Sequence, residues 1–377
     1  MIVRIERRLV APRWLALGVP VGSLVAAIVL GAVVLLVTGH NPLSSYRRLF
    51  DTAFVGEASI TETLISATPL MFTGLAAAVA FRMNLWNVGG EGQLYCGAIG
   101  ASGVGLWLSG APTPILIAGM AVAGMLAGAA WALIPALLRA YVSTNEIITS
   151  LMLNYVAGLL LTYLIFDSFS YWRDLSTFSA KTFPQGKNLP DAASWPAWSP
   201  FSPSLAVPLG FLVAIVLGVL LAVLRSRTRL GFEMQVIGDS ARAARYAGMR
   251  TRRVVVLVFC LSGACAGLGG ASQVGDFQHV LDPRGLQQSG FGYAGIVVAA
   301  LARYNPVGVV VVAVLIGGLQ NAGYALQGVD FPSGLVGVLQ GLILFCALGG
   351  ELFTRYRVRP ARRARDEAAG LPAGDLA

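Results

Sequence analysis

Charged side chains are scarce in this chain of 377 residues: Asp, Glu, Lys and Arg make up 12% of it, whereas 56% is hydrophobic. A soluble domain carries about 25% charged residues, so the chain lacks the polar coat that a water-soluble enzyme needs. The same composition excludes intrinsic disorder, whose signature is low hydrophobicity. Because a membrane-spanning helix needs roughly 20 apolar residues, about ten such spans would account for the hydrophobic fraction.

Side chains used in catalysis and metal binding are also few. The chain has two histidines and four cysteines, and none of the cysteines has metal-ligand spacing. There is no G-x-x-x-x-G-K-[ST] phosphate-binding motif and no nucleophile elbow. The sequence therefore predicts no cofactor, no metal and no catalytic centre. The cysteines lie in apolar runs and are interpreted as small core residues; they are Cys96, Cys260, Cys265 and Cys346.

Ten apolar runs predict an all-α polytopic membrane protein. The predicted spans are approximately 14–38, 60–81, 88–109, 113–138, 147–166, 205–224, 254–274, 290–303, 306–327 and 334–350. The first run is longer than the core of a signal peptide, which has about 7–15 apolar residues. The eighth run has only about 14 residues, so we expect it to be tilted, broken or only partly spanning.

Arginine predicts the orientation. Of the 27 basic residues, 21 lie near the N-terminus, in 225–253, in the C-terminal tail, or at the span ends Arg82, Arg139 and Arg303. Because cytoplasmic loops are enriched in basic residues, ten spans with both termini cytoplasmic place this whole set inside. The net charge of +9 then needs no nucleic acid to explain it.

The same topology predicts two inverted blocks, since spans 2–5 and 7–10 enter the membrane in opposite directions, as in many transporters. A weak internal echo accompanies this arrangement: FRMNLWNVGG at 81–90 and LARYNPVGVV at 301–310 both place an Arg and an Asn before a Gly-rich apolar run.

The predicted domain organisation is a transmembrane domain over 1–354 and a basic cytoplasmic tail over 355–377. Two polar connections interrupt the apolar pattern, an extracytoplasmic loop at 167–204 and a cytoplasmic loop at 225–253. The outer loop is expected to be irregular or short-helical. Its tryptophans suit a membrane interface; they are Trp172, Trp195 and Trp198.

The cytoplasmic loop contains the stretch DSARAARYA, which predicts a short helix capped by Asp239 or Ser240 and ended by Gly248. Positive charge alone would suit a face that binds membrane lipid headgroups. A docking helix for a cytoplasmic partner would instead need small residues on one side, and Ala243, Ala244 and Gly248 supply them. Both interpretations stay open on composition alone.

Polar and glycine residues interrupt the apolar pattern between spans two and three. The candidate residues are Asn84, Trp86, Asn87 and Glu91. Irregular backbone at membrane depth is tolerated only where it is buried in protein or lines a cavity. The segment is therefore either a pathway or gate element, or a helix N-terminus at which Glu91 is stabilised by the helix dipole.

Polar side chains also occur within two other spans: Asn154 and Tyr155 in span five, and Gln320, Asn321 and Tyr324 in span nine. Such groups avoid lipid, so they either line a translocation pathway or form hydrogen bonds between helices. Neither alternative is excluded by the sequence.

Two local signals concern helix starts and packing. The stretch Ser143–Glu146 fits a capping box before span five. Three pairs of glycines spaced four apart permit close helix approach and are interpreted as packing; they are Gly124/Gly128, Gly263/Gly267 and Gly337/Gly341.

Three stretches carry a resemblance to a known family. The segment from Leu230 to Met249 resembles the cytoplasmic coupling segment of ABC importer permeases of the branched-chain amino acid, ribose and nucleoside superfamily. FRMNLWNVGGEGQLYCGA at 81–98 and STNEIITSLMLNYVA at 143–157 resemble its nucleoside and simple-sugar branch. The resemblance extends over about 60–350.

The resemblance implies a permease of ten or so helices, multi-pass in a bacterial inner membrane, that imports a nucleoside or a simple sugar. It implies as partners two ABC ATPase subunits, a second homologous or identical permease, and an extracytoplasmic solute-binding lipoprotein. ATP hydrolysis would then lie on the ATPases, in agreement with the missing phosphate-binding motif. The residues implied for ATPase coupling are Gly231, Asp239, Ala243, Ala244, Arg245 and Gly248.

The main alternative is an ion-coupled secondary transporter of a small polar solute. It would need acidic residues in mid-span, whereas Glu62, Glu91 and Glu146 all lie toward the span ends. A membrane enzyme would need a catalytic constellation, and a scaffolding protein would not need Gly-rich spans interrupted by polar residues.

Overall fold

The computed structural model describes residues 3–7, 13–55, 58–199, 205–326 and 334–360, and they fold mainly into helices. The helices are α1 (Arg13–Val37), α2 (Pro42–Phe50), α3 (Ser59–Phe81), α4 (Gly90–Trp107), α5 (Thr113–Leu137), α6 (Glu146–Thr162), α7 (Phe178–Thr182), α8 (Leu209–Arg227), α9 (Arg229–Asp239), α10 (Ala241–Tyr246), α11 (Thr251–Ser272), α12 (Pro283–Ser289), α13 (Phe291–Leu301), α14 (Pro306–Ala325) and α15 (Leu335–Arg355). The strands are β1 (Val3–Arg7), β2 (Ala197–Trp198), β3 (Val207–Pro208) and β4 (Tyr356–Pro360).

Each predicted span coincides with one of these helices. Among the described residues, six helices are long and apolar enough to cross a membrane: Ser59–Phe81, Thr113–Val142, Glu146–Asp167, Leu209–Arg227, Thr251–Gln278 and Pro306–Ala325. The bent pair Gly22–Val37 and Pro42–Val55, with an angle of 119° between its parts, would make a seventh. The chain is thus an all-α polytopic membrane protein.

Helices α4 and α13 are the exceptional elements. α13 has 11 residues, which gives a length of about 16 Å against a hydrocarbon core of about 30 Å. The eighth predicted span is therefore a half-length helix. α4 has 18 residues, and its first turn contains the acidic residue Glu91.

Helix α3 forms the centre of the bundle. Every residue from Ala67 to Phe81 is buried, and α3 packs against α11, α13 and α14. The segment is rich in alanine, whose small side chain lets neighbouring helices approach α3 closely.

Two of the three predicted glycine pairs pack against each other where α5 crosses α11. A Cβ added at Gly267 would meet the backbone of Gly124 and Gly128, and one added at Gly263 would meet the backbone of Gly128. The packing prediction is confirmed here. It is wrong for the third pair, Gly337/Gly341, because a Cβ on either residue would have nothing within 4 Å.

The predicted capping box before span five is also wrong. α6 begins at Glu146, and its cap is Asn145, whose Oδ1 accepts the Ile147 N–H at 2.9 Å. Ser143 has a left-handed backbone with φ 59°, so the chain is still turning there. Glu146 instead pairs with Arg139, with 3.2 Å between Oε2 and Nε.

The short cytoplasmic helix is confirmed as α10. Ser240, the second of the two predicted caps, accepts the Ala243 N–H at 3.2 Å through its hydroxyl. Gly248 follows the helix with φ +76°, the left-handed conformation that ends many helices.

The outer loop is irregular with short helices, as predicted, but two of its tryptophans face the protein. Trp172 donates from Nε1 to the carbonyl of Ile99 at 3.1 Å, and Trp195 is 5% exposed beside Gly275. Only Trp198 of the three is strongly exposed, at 60%. Trp172 and Trp195 therefore anchor the loop on the bundle, since Trp195 also donates its backbone N–H to the Gly275 carbonyl at 3.0 Å.

The two stretches of the internal echo form the same turn. After α3, Leu85 N–H bonds to Ala80 O at 3.2 Å; after α13, Tyr304 N–H bonds to Ala299 O at 2.9 Å, which is the 6→1 bond of a Schellman motif. The rings of Phe81 and Tyr304 lie 5.8 Å apart. Both turns thus lie at the same end of the bundle, so the echo does not relate inverted halves.

The two ends of the described chain meet. β1 and β4 pair antiparallel, with Val3 opposite Pro360 and Arg7 opposite Tyr356. The predicted tail beyond residue 360 lies outside the described residues.

Candidate functional site

The N-termini of α4 and α13 meet inside the bundle. Their first turns have related sequences, GEGQ at 90–93 and GFGY at 290–293. A Cβ added at Gly292 would meet the backbone and side chain of Glu91, so only glycine permits this approach. We call the contact among Glu91, Gly92, Asn154, Gly292 and Tyr293 the α4–α13 junction.

Glu91 is the charged residue of the junction. It is 2% exposed. Its Oε1 accepts the Tyr95 hydroxyl at 2.7 Å, while its Oε2 accepts the backbone N–H groups of Gly292 and, at 3.3 Å, Tyr293. These N–H groups belong to the first turn of α13, where they have no partner within the helix. The carboxylate of α4 therefore caps a different helix, and it lies where the dipoles of both helices favour negative charge.

Asn154 joins α6 to the same junction. Its Oδ1 accepts the Gly92 N–H at 2.9 Å, and its Nδ2 donates to the Val88 carbonyl at 2.9 Å and to the Tyr293 hydroxyl at 3.3 Å. The amide is 3% exposed. The amide oxygen and both amide hydrogens are thus engaged in hydrogen bonds between helices.

Asn87 links the turn before α4 to α11, as Asn154 links the start of α4 to α6. Its amide and that of Gln93 form two reciprocal hydrogen bonds of 3.0 Å each, and Asn87 Nδ2 also donates to Ser262 Oγ on α11 at 2.9 Å. Ser262 in turn donates to the Ala76 carbonyl on α3 at 2.7 Å. This buried network ties the turn between α3 and α4 to two central helices.

The junction lies at membrane depth. Thr73 Oγ1 donates to the Phe291 carbonyl at 2.9 Å, and Thr73 is about 12 Å along α3 from its end at Phe81. Asn154 is likewise about 12 Å from the start of α6 at Glu146. The chain between Phe81 and α4 therefore returns from the end of α3 to this depth. Leu85 and Asn87 are buried along it, as irregular backbone in a membrane requires.

Three predicted residues lie outside the junction. Asn84 is exposed, and its Nδ2 donates to the Gly238 carbonyl on α9 at 2.6 Å. Trp86 is 39% exposed, with its ring 4.8 Å from that of Phe81. Tyr155 follows Asn154 but is 62% exposed on the outer side of α6.

The span-nine residues form a separate group near the other end of α3. Asn321 Nδ2 donates to Thr63 Oγ1 at 3.3 Å, and Thr63 is about 15 Å along α3 from the level of Thr73. Gln320 is 4% exposed, whereas Tyr324 is 51% exposed. The structure does not bring these three residues to the α4–α13 junction.

The predicted coupling residues divide into an inward and an outward set. Ala244 is fully buried in the core of the chain, and a Cβ added at Gly231 would meet the carbonyls of Leu224 and Arg225. Gly231 thus permits the tight turn from α8 into α9, and Ala244 packs α10 on the bundle. The remaining residues are exposed: Asp239, Ala243, Arg245 and Gly248.

Several site residues were not predicted from the sequence. Tyr293, Gln93 and Ser262 complete the hydrogen bonds described above, and only the related sequences GEGQ and GFGY signal that the first turns at 90–93 and 290–293 are equivalent.

A second capping acid was missed as well. Asp276 lies just beyond α11 and accepts the Gly210 N–H at the start of α8 at 3.1 Å and the Ser272 hydroxyl at 2.7 Å. It thus caps the first turn of α8 as Glu91 caps that of α13. Among the described residues no group of three His, Cys, Asp or Glu could hold a metal.

Comparison with known proteins gives a family match over most of the chain. The family described as the branched-chain amino acid transport system permease component matches residues 59–348. The glucose ABC transporter permease protein TsgB13 of Haloferax volcanii is 35% identical over 387 residues, covering 99% of this chain and 98% of that protein. No solved structure gives a significant match.

Two bacterial proteins named for nucleosides are also similar. The nucleoside ABC transporter permease protein NupB of Lactococcus lactis is 31% identical and covers 87% of this chain and 89% of its own length. The guanosine ABC transporter permease protein NupP of Bacillus subtilis is 33% identical, with coverage of 80% and 84%. The chain therefore belongs to the branched-chain amino acid transport system permease family, and it is a multi-pass membrane permease subunit of an ABC importer, not an enzyme.

Proposed function

We propose that this permease translocates a nucleoside, with a simple sugar as the second candidate. Relatives with good coverage are named for both classes, and both are neutral and rich in hydroxyl groups. The observation that carries the proposal is the state of Glu91: its carboxylate is capped by backbone N–H groups and a hydroxyl. The junction therefore offers a solute the partly exposed Tyr293 hydroxyl instead of a free charge.

The proposed pathway runs along the side of the junction that faces away from the centre of the bundle. Tyr155 and Tyr293 are 62% and 41% exposed, and Tyr293 shares a hydrogen bond with Asn154. Gln287 on α12 is also exposed and donates to Thr162 Oγ1 at 2.9 Å. Polar side chains on helices avoid lipid, so this face suits a water-filled path closed by a second permease. Trp86, Gln320, Asn321 and Tyr324 remain further pathway candidates from the sequence.

The proposed partners are two ATPases, a second permease and an extracytoplasmic solute-binding lipoprotein. The exposed side of α10, with Ala243, Arg245 and Gly248, is the proposed docking surface for an ATPase. Arg242 and Tyr246 are exposed beside these residues. A polar and positively charged helix of this kind is suited to contact a protein outside the membrane.

We further propose ten spans in two inverted blocks, with both termini cytoplasmic and 167–204 extracytoplasmic. The pairing of β1 with β4 supports termini on one side. The junction supports the inverted relation. α4 runs from it toward the outer loop, where the Ile99 carbonyl accepts from Trp172, while α13 runs toward the end of α3, where Tyr304 contacts Phe81.

The solute is tested by uptake in cells that lack the gene. We expect loss of labelled adenosine, guanosine or uridine uptake, with ribose and glucose uptake intact, and recovery on expression of the intact chain. Loss of ribose or glucose uptake with nucleosides untouched would transfer the assignment to simple sugars. An unchanged profile for all five compounds would contradict both candidates.

A further inference from the structure

We propose that Asn84 is a positioning residue that transmits movement of α9 and α10 to the α4–α13 junction. The proposal rests on the proposed docking of an ATPase on α10. It assigns Asn84, a pathway candidate from the sequence, to coupling instead.

The first step is the contact between Asn84 and α9. Asn84 has φ +54°, a conformation that asparagine tolerates better than most residues. Its Nδ2 donates to the Gly238 carbonyl at 2.6 Å. Gly238 lies in the last turn of α9, where carbonyl groups lack partners within the helix. The Asn84 side chain therefore fastens the end of α9 to the turn that follows α3.

The backbones at this contact also touch. A Cβ added at Gly238 would lie 2.9 Å from the carbonyl oxygen of Arg82 and 3.2 Å from Cα of Met83. The end of α9 thus rests directly on the turn, with no intervening side chain to absorb a displacement. Hydrogen bond and steric contact together make the two segments move as one.

The second step runs from Asn84 to the junction along a short, anchored stretch of chain. Leu85 and Asn87 are buried. Asn87 is held by Ser262, and the Val88 carbonyl is held by Asn154. The stretch is also tied within itself, since Asn87 N–H bonds to Leu85 O and Val88 N–H to Trp86 O, each at 3.1 Å. Because it is short and held at both ends, displacement of Asn84 reaches the N-terminus of α4 and its carboxylate Glu91. Such continuity is a physical route for coupling, and measured coupling is what establishes it.

The third step is on the far side of α9. Ser240, two residues after Gly238, caps α10, so the docking helix and the Asn84 contact belong to one corner of the chain. Ala244 packs the inner side of α10 into the core. A partner that moves the exposed side of α10 therefore moves Gly238.

The chain offers a matched control in Asn305. It follows the equivalent turn after α13, at the same end of the bundle, and it is exposed. Its side-chain oxygen Oδ1 accepts the Val307 N–H at 3.2 Å. Aspartate can replace it as a helix cap. At Asn84 the same change removes the donor and sets a carboxylate against the Gly238 carbonyl.

The test uses the full complex of permease, ATPase and binding protein in proteoliposomes. It compares the wild type with Asn84→Asp, Asn84→Gly and Asn305→Asp; glycine keeps the left-handed conformation but removes the side chain. The measurements are the ATPase co-purified per permease, basal ATP hydrolysis, the permease Tm, and solute transported per ATP hydrolysed.

We expect both Asn84 variants to retain the co-purified ATPase, the basal hydrolysis rate and the Tm, while solute transported per ATP falls about ten-fold, within the range typical of coupling between sites. Asn305→Asp should match the wild type. Wild-type solute per ATP in both Asn84 variants would overturn the proposal, as would loss of the ATPase or of the Tm in them. Failure of the wild-type complex to bind an ATPase would instead refute the proposed docking.

Discussion

Glu91 and Gly292 are separated by about 200 residues, yet the carboxylate of the first accepts the backbone N–H of the second inside the bundle. One half-length helix and one helix with a polar first turn are thereby joined end to end. Eight other helices, α5 to α12, lie between these two helices in sequence. The bond between them leads to a direct prediction about stability.

Replacing Glu91 with Gln should destabilise the permease. Glutamine has one acceptor oxygen where glutamate has two, and its NH₂ group would point a donor at the N–H groups of the first turn of α13. Hydrogen bonds to a charged group contribute about 1.5–3 kcal/mol each, and this contribution would be lost. A clear fall in the Tm of the detergent-purified protein is expected. Glu62→Gln, at an exposed site on α3, is the control and should leave the Tm unchanged. Equal melting of the two variants would contradict the capping role of Glu91.

Replacing Gly267 with Ala should disrupt the crossing of α5 and α11. The added methyl group would meet the backbone of Gly124, and overpacking of this kind costs about 1–3 kcal/mol. We expect a lower Tm and a smaller monodisperse peak in size-exclusion chromatography. Gly337→Ala on α15, where a Cβ has nothing within 4 Å, makes the same change without a clash. A Gly267 variant as stable as the Gly337 variant would show that the helices separate easily.

A glutamate introduced on the buried side of α10 should have a different effect from one introduced on its exposed side. Ala244→Glu places a carboxylate in the core and should prevent folding, since a buried unpaired charge is strongly unfavourable. Ala243→Glu faces solvent in this chain, so the Tm should be retained while co-purification of the ATPase is lost.

Gly248→Glu should also uncouple transport, but its left-handed backbone adds strain to the effect of charge. Gly248→Asn, which tolerates that conformation, separates the two contributions. Normal ATPase binding by Ala243→Glu would exclude this side of α10 as the docking surface.

The proposed pathway predicts water at Tyr155 and Tyr293. Single cysteines at these positions, on a background without the four native cysteines, should react with a water-soluble thiol reagent. Leu220 on α8, 58% exposed, is the control; a cysteine there should be protected by lipid. Reaction at Leu220→Cys alone, or at none of the three, would argue against a water-filled path along α6 and α13.

The proposed topology predicts opposite labelling of the two polar connections. Gln185 and Ser240 are both exposed, so cysteines at these positions should react with an impermeant reagent from the outside and from the cytoplasmic side respectively. Labelling of both from one side would contradict the ten-span arrangement.

Hydropathy was sufficient to locate the apolar helices, because the cost of exposing polar backbone in a membrane permits few alternatives. The short apolar run at 290–303 predicts a tilted, broken or only partly spanning helix, and α13 is a half-length helix. The partner of Glu91 could not be predicted from the sequence. Glu91 was interpreted as an acid at the N-terminus of its own helix, α4, whereas the N–H groups it binds belong to α13. Such a contact depends on how two distant segments pack.

The same limit explains the other corrections. Ser143 matched a capping pattern, but the backbone is still turning there and Asn145 supplies the cap. Trp172 and Trp195 matched an interfacial pattern, but the loop folds back over α4 and α11. Ala244 was expected to face a partner, and only packing reveals that it faces the core. A local pattern specifies a residue's chemistry, while its direction comes from tertiary structure.

The pairing of β1 with β4 has a practical consequence. Two fragments of a split fluorescent protein, one fused before Val3 and one after Pro360, would be held close together by a single polypeptide. Fluorescence should therefore develop in every correctly assembled monomer, whatever its concentration. The permease would thus carry its own reporter of complete membrane insertion.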